Sequence, residues 1–182
     1  MILPENFDSA ERGDRARSFF MAGYNCCQSV LMAFSDVLEA NGMATEDLLK
    51  TVGSGFGGGF ARMRQVCGSF SACTVMAGFI CPATIPAIEL RKANYALVQE
   101  MAAEFRARNG GSIVCSDLLG LNGNSSAVAK GATSEVAGSA TSAPAIEPPT
   151  PSERTPEYYR KRPCAQIIYN AAVIVAEKML GE

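Results

Sequence analysis

The sequence predicts an all-α protein, a compact bundle of about five or six helices with a glycine-rich loop and a disordered low-complexity insertion. Three observations predict it. Apolar residues recur at i, i+3, i+4 and i+7 through most of the chain. Capping residues bracket those runs, and no segment alternates apolar and polar residues as a half-buried strand would.

The first helix is expected from about Asp8 to Ala22, opened by a capping box over Asp8–Glu11 and closed by Gly23. Ala16, Phe19 and Phe20 are spaced for one apolar face. A second helix should start near Asn25 and reach Asn41–Gly42, with Val30, Leu31, Phe34, Val37 and Leu38 turned inward. A short helix follows Thr45. Gly68 to Ile80 forms a third long helix, too apolar to show an exposed face. Pro86 to Arg108 is again helical, with Leu90, Leu97, Met101 and Phe105 as inward candidates, Tyr95 a weaker one, and Asn109–Gly110–Gly111 as its stop. Cys115 to Leu119 reads as a helical turn. The last helix should run from about Pro163, a favoured first-turn residue, to Leu180.

Composition changes abruptly from Gly120 to Pro156, where residues are small, polar and proline-bearing and show no period. The chain therefore divides into a helical core over residues 1–119, a flexible loop over 120–156, and a C-terminal helical segment over 157–182. That last segment must dock back on the core through Ile167, Ile168, Ala171, Ile174, Val175 and Met179.

Apolar residues make up 48% of the chain and charged ones 19%, enough for a real core. A net charge of −2 without basic runs argues against nucleic acid and against an anionic membrane surface. No charge falls between Arg64 and Glu89, but the gap holds polar residues, Pro82 and Pro86, so a buried helix is expected rather than a membrane span. Histidine is absent, which removes Cys–His and Ser–His–Asp catalysis, histidine-ligated zinc and c-type haem. The seven cysteines are odd in number, and the N-terminal residues carry neither a basic nor an apolar leader pattern. A cytoplasmic location is expected, where clustered cysteines mean metal or redox chemistry more often than structural disulfides.

Four of the cysteines share a position. Cys26, Cys67, Cys115 and Cys164 each stand at an expected helix start, where unpaired amides and the helix dipole favour thiolate. Folding can bring them together as a tetrathiolate cage for a soft metal or an iron–sulfur cluster, or as two dithiol pairs. Cys27, Cys73 and Cys81 read as core packing. No C-x-x-C occurs, so zinc is the weaker candidate.

Gly53, Gly55 and Gly58 satisfy G-x-G-x-x-G, but no strand precedes them and the next acid is Glu89. There is no G-K-[ST] either, so no nucleotide is expected. Arg62 and Arg64 read as a solvated face. The glycines instead supply turns with positive φ and close backbone approach.

The stretches GYNCCQSVLMAF, GSGFGGGFARMRQVCGSFSA, the cysteine before SDLLG, and RPCAQIIYNAA together resemble the C_GCAxxG_C_C family, whose redox label is itself an inference from cysteines. The resemblance runs from about Phe19 to Ala176, omitting the low-complexity stretch. It implies that Cys26, Cys67, Cys115 and Cys164 are the family's signature cysteines. Four departures stand out: Ser69 replaces alanine, Ala72 replaces glycine, Cys27 stands where the family more often has alanine, and the insertion before Cys164 is unusually long.

The expected function is a redox-active protein in which these four cysteines form one site, acting as metal ligands or as redox thiols. An iron–sulfur cluster of the two-iron type, for electron transfer or sensing, leads. Thiol–disulfide exchange by two of the four is the alternative, and a structural domain with inert buried cysteines the third reading. A redox partner is implied without being identified. The apolar excess on the first and last helices suggests a homodimer.

Overall fold

A computed structural model describes residues 1–121 and 147–181. Among them the architecture is all-α. Helix α1 covers Ser9–Met21, capped by Asp8, whose carboxylate accepts from the Glu11 amide. Next come α2 (Cys26–Met32), α3 (Ser35–Ala40) and α4 (Glu46–Gly53). After the glycine loop follow α5 (Gly68–Ile80), α6 (Ile88–Arg108) and the single turn α7 (Cys115–Leu118). Helices α8 (Pro156–Lys161) and α9 (Cys164–Leu180) complete the chain.

The expected second helix is broken in two. Arg12, buried at 4% exposure, donates from Nη1 to the Ala33 carbonyl (2.9 Å) and to Asp36 Oδ1 (2.6 Å). With that carbonyl turned toward a guanidinium, the chain tightens into i→i+3 bonds, Ala33 to Val30 and Phe34 to Leu31, before α3 begins. Periodicity could not show this, because the apolar rhythm continues through the break.

Helix α2 lies at the centre, packed by α1, α4, α5 and α9. Its Val30 and Leu31, and Ala33 and Phe34 at the break that follows, are fully buried. The most extensive helix pair is α1 with α9, so the apolar surplus that suggested self-association is buried within the chain. Ile168, Ala171, Ile174 and Val175 of α9 are wholly enclosed. Cys27 and Cys73 are core residues, and the Cys73 thiol donates to the carbonyls of Ser69 (3.4 Å) and Ala171 (3.7 Å).

Helix α6 departs from its expected face. Met101 and Phe105 are buried, the latter with its ring 5.4 Å from Phe70, but Leu90 and Tyr95 are exposed and Leu97 only half-buried. Asn94 caps the end of α5 by donating to the carbonyls of Ala77 and Cys81. The first half of α6 thus extends from the place where α5 stops. No helix among the described residues is long and apolar enough to cross a membrane.

The expected loop over 120–156 is corrected at its C-terminal end; residues 122–146 lie outside the described residues. Glu147, Ser152 and Arg154 make specific contacts with the core. Thr155 caps α8, accepting from the Tyr158 amide, so a helix precedes the predicted one. Tyr158 and Tyr159 then pack on Phe20.

Candidate redox site

The four helix starts expected for cysteine are all found. Cys26, Cys115 and Cys164 are the first residues of α2, α7 and α9, and Cys67 is the residue preceding α5.

Each is held by local chemistry. Asn25 caps α2, its Oδ1 accepting from the amides of Cys27 (2.9 Å) and Gln28 (3.0 Å), while Gln28 Oε1 accepts from the Asn25 amide. The same Asn25 donates through Nδ2 to the carbonyls of Gly53 and Ser54, both at 3.1 Å. One side chain therefore ties Cys26 to the glycine loop. Cys67 and Cys115 are joined by an antiparallel bridge between Val66 and Val114. The Cys67 amide donates to Ile113 (2.8 Å) and the Cys115 amide to Gln65 (2.7 Å).

Between them the loop takes an unusual path. Gly58, Gly59, Phe60, Ala61 and Arg62 all have positive φ, from 48° to 70°, and Arg64 has φ 59°. Left-handed backbone costs a non-glycine residue about 1–2 kcal/mol. The surroundings hold it: the amides of Ala61, Arg62, Arg64 and Gln65 reach back to the carbonyls of Gly55, Gly57, Gly58 and Gly59. The result is close contact with the thiols. A Cβ on Gly59 would lie 2.7 Å from the Cys115 Cβ, and one on Gly68 would lie 2.6 Å from the Phe56 carbonyl and 3.3 Å from the Cys26 Cβ.

All four cysteines line one small cavity of about 20 Å³, with Gly59, Gly68 and Ser69. Every pair among them is close enough to interact electrostatically. Cys67 and Cys115 are buried; Cys26 and Cys164 are half-buried. Ser69 Oγ is also buried and has no hydrogen-bond partner among the described residues. Beside this cavity lies an outer pocket of about 330 Å³ that reaches Cys26, Cys115 and Cys164 but not Cys67.

The thiols are unequal. The hydrogen bond between Cys26 and Cys164, followed by burial, raises Cys26 well above the ordinary thiol value. The same bond lowers Cys164. Burial pushes Cys67 up to about 12, aided by the neighbouring Cys26 and opposed by the Ser69 amide. Burial also raises Cys115, against a contact from Arg64 Nη1 at 4.0 Å. Helix N-termini were expected to favour thiolate at all four. Burial outweighs them at Cys67 and Cys115, because desolvation acts on the whole charge and the end of a helix supplies only a partial one, and at Cys26 the hydrogen bond with Cys164 leads, with burial second.

The arginines correct another expectation. Arg64 is buried at 6% exposure, not solvated. Its Nε and Nη2 fork onto the two Glu147 oxygens, both at 2.6 Å, and Arg62 Nη2 joins at 2.6 Å. Arg62 also donates to the Pro148 carbonyl and Ser152 Oγ. Sequence reading missed Arg154, Arg162, Glu147 and Asn25 as site residues. Asn25 had a signal, since Asn25 and Gln28 are spaced as a capping box. Glu147 had none, lying in a stretch without period.

Among the described residues, no group of three or more Cys, Asp or Glu is arranged to hold a single metal ion. The four sulfurs surround a space without closing on one point.

No curated protein and no solved structure matches the chain significantly. A family model does, over residues 24–178, and its description is "Putative redox-active protein (C_GCAxxG_C_C)". The match takes in all four helix-start cysteines, the glycine loop and the returning α9, the same parts that assemble the cavity. With most of its length so covered, the chain belongs to the C_GCAxxG_C_C family of redox-active proteins.

Proposed function

We propose that Cys26, Cys67, Cys115 and Cys164 form one redox centre that holds an iron–sulfur cluster of the two-iron type, for electron transfer or sensing. The carrying observation is the single cavity lined by all four thiols.

Three features support the fit. Four cysteines are the usual donor set of such clusters, whose potentials respond to hydrogen bonds at sulfur. The Ser69 and Phe70 amides favour charge on Cys67, the Gly58 amide does so for Cys26, and the orphaned Ser69 hydroxyl offers one donor more. Two pairs of these cysteines are tethered, Cys26 with Cys164 by a side-chain hydrogen bond and Cys67 with Cys115 through the backbone bridge of their neighbours Val66 and Val114. The cavity alone has about the room of one water, but it adjoins the larger pocket at Cys26, Cys115 and Cys164. A bound cluster would supply one-electron chemistry. The chain's own residues supply the ligands, exclude water around Cys67, and hold the proton shared by Cys26 and Cys164.

That shared proton also supports a second reading, thiol–disulfide exchange by Cys26 and Cys164. Cys164, the lowered thiol, would be the attacking thiolate, and both residues reach the outer pocket.

Serine variants separate the readings. In an anaerobic reductive titration, Cys→Ser at each of the four positions is expected to abolish the reversible transition, while Cys81→Ser leaves it intact. Loss at Cys26 and Cys164 alone would favour exchange. Survival in all four variants would leave the cysteines inert.

A further inference from the structure

The outer pocket carries a charge pattern that ligand thiols alone do not require. Arg62, Arg64, Arg154 and Arg162 line it, with no carboxylate among its described lining residues. Arg62 and Arg64 are engaged by Glu147 from beside the pocket. Arg154 and Arg162 make no ion pair among those found in the described residues.

Their placement is fixed. The Arg154 guanidinium lies 4.4 Å from the Phe20 ring centroid and 5.0 Å from that of Tyr158, and its Nη2 donates to the Tyr24 carbonyl at 3.3 Å. Its Nη1 is buried with no hydrogen-bond partner among the described residues. A buried charged donor without an acceptor is costly, so this atom marks a place where an acceptor belongs. The Arg162 guanidinium lies 4.8 Å from the centroid of the same Tyr158 ring. The aromatic rings hold both cations without neutralising either. Beneath them are Cys26 and Cys164.

We propose that this pocket binds a small multivalent anion, bearing carboxylate or phosphate groups, on Arg154 and Arg162 and directly against Cys26 and Cys164. The Glu147 carboxylate, forked on Arg64, shows the chemistry the pocket accepts and acts as a built-in competitor that holds two of the four arginines. A volume of about 330 Å³ suits a small metabolite-sized anion and not a macromolecule. The binding site stands on the arginines alone, and its place beside the redox centre rests on the reading above.

Calorimetric titration of anaerobically purified full-length protein with citrate and with pyrophosphate tests the site. At least one should bind at low salt and weaken as salt rises, and comparing the two identifies carboxylate or phosphate as the preferred group. Arg154→Met and Arg162→Met should each weaken binding by about tenfold or more, and Glu147→Gln should tighten it by freeing Arg62 and Arg64. Absence of binding to both probes, or affinities unchanged by these substitutions, overturns the proposal. Should Arg154→Met fail to fold through loss of its aromatic contacts, Arg162→Met and Glu147→Gln decide by their opposite signs. Iron and sulfide measured on the same samples keep the two ideas apart: binding without a cluster contradicts the cluster and leaves the anion site standing.

Discussion

Metal-free protein is expected to lose stability steeply between pH 9 and pH 12. Cys27 and Cys67 are both held near 12 in the folded chain, chiefly by burial, against an ordinary thiol value of 9.0. A raised thiol binds its proton more tightly when folded than when unfolded. Its contribution is fully present below pH 9 and disappears as the pH climbs through 12. Each such group gives a slope of about 1.4 kcal/mol per pH unit across that window. Two of them acting over about three units are comparable to the whole stability of a domain this size. Buried Cys73, also raised, adds in the same direction. Urea unfolding of chelator-treated protein at stepwise pH values should show the decline; stability that stays flat from pH 8 to 11 would mean that these thiols are not buried as described. A metal centre at Cys67 would remove that residue's share, because a coordinated thiol has already given up its proton.

Replacing Gly59 by alanine is the second large effect. The residue has φ 70°, and its added Cβ would meet Cys115 Cβ at 2.7 Å and the Gln65 backbone at 2.8 Å. Left-handed strain and overpacking against backbone together predict a loss of about 3 kcal/mol, with Cys115 displaced from its bridge to Cys67. Gly55→Ala is the control, since nothing lies within 4 Å of its Cβ. Chemical denaturation of the two variants checks this. Equal stabilities would remove the loop's close approach as the device that positions Cys115.

Much of this was legible in the residues. The helix starts at Ser9, Cys26, Gly68 and Cys164 followed from caps, glycines and proline, all local signals. The position of four thiols at helix starts was legible from the same signals, and membership of the family from the motifs around them. What escaped was set by contacts distant in sequence. Arg12 breaks a helix more than twenty residues away through one carbonyl, and no local pattern announces it. Arg64 looks solvated beside Met63 and Gln65 until Glu147, more than eighty residues on, returns to meet it. The thiol charges were misjudged for a similar reason: a helix start is visible in sequence, whereas the burial that overrides it is not. Leu90 kept the apolar rhythm of α6 but lies exposed in the first turn of that helix, ahead of Asn94 and Leu97, where contact with the core begins.

The account depends most on one centre being built from four thiols. Iron and acid-labile sulfide analysis, joined to an absorption spectrum, on protein purified without exposure to air, tests it most directly. The prediction is two irons and two sulfides per chain, for the two-iron cluster type, with visible absorption that bleaches on reduction and is lost in Cys67→Ser. Colourless protein containing neither iron nor sulfide would contradict it.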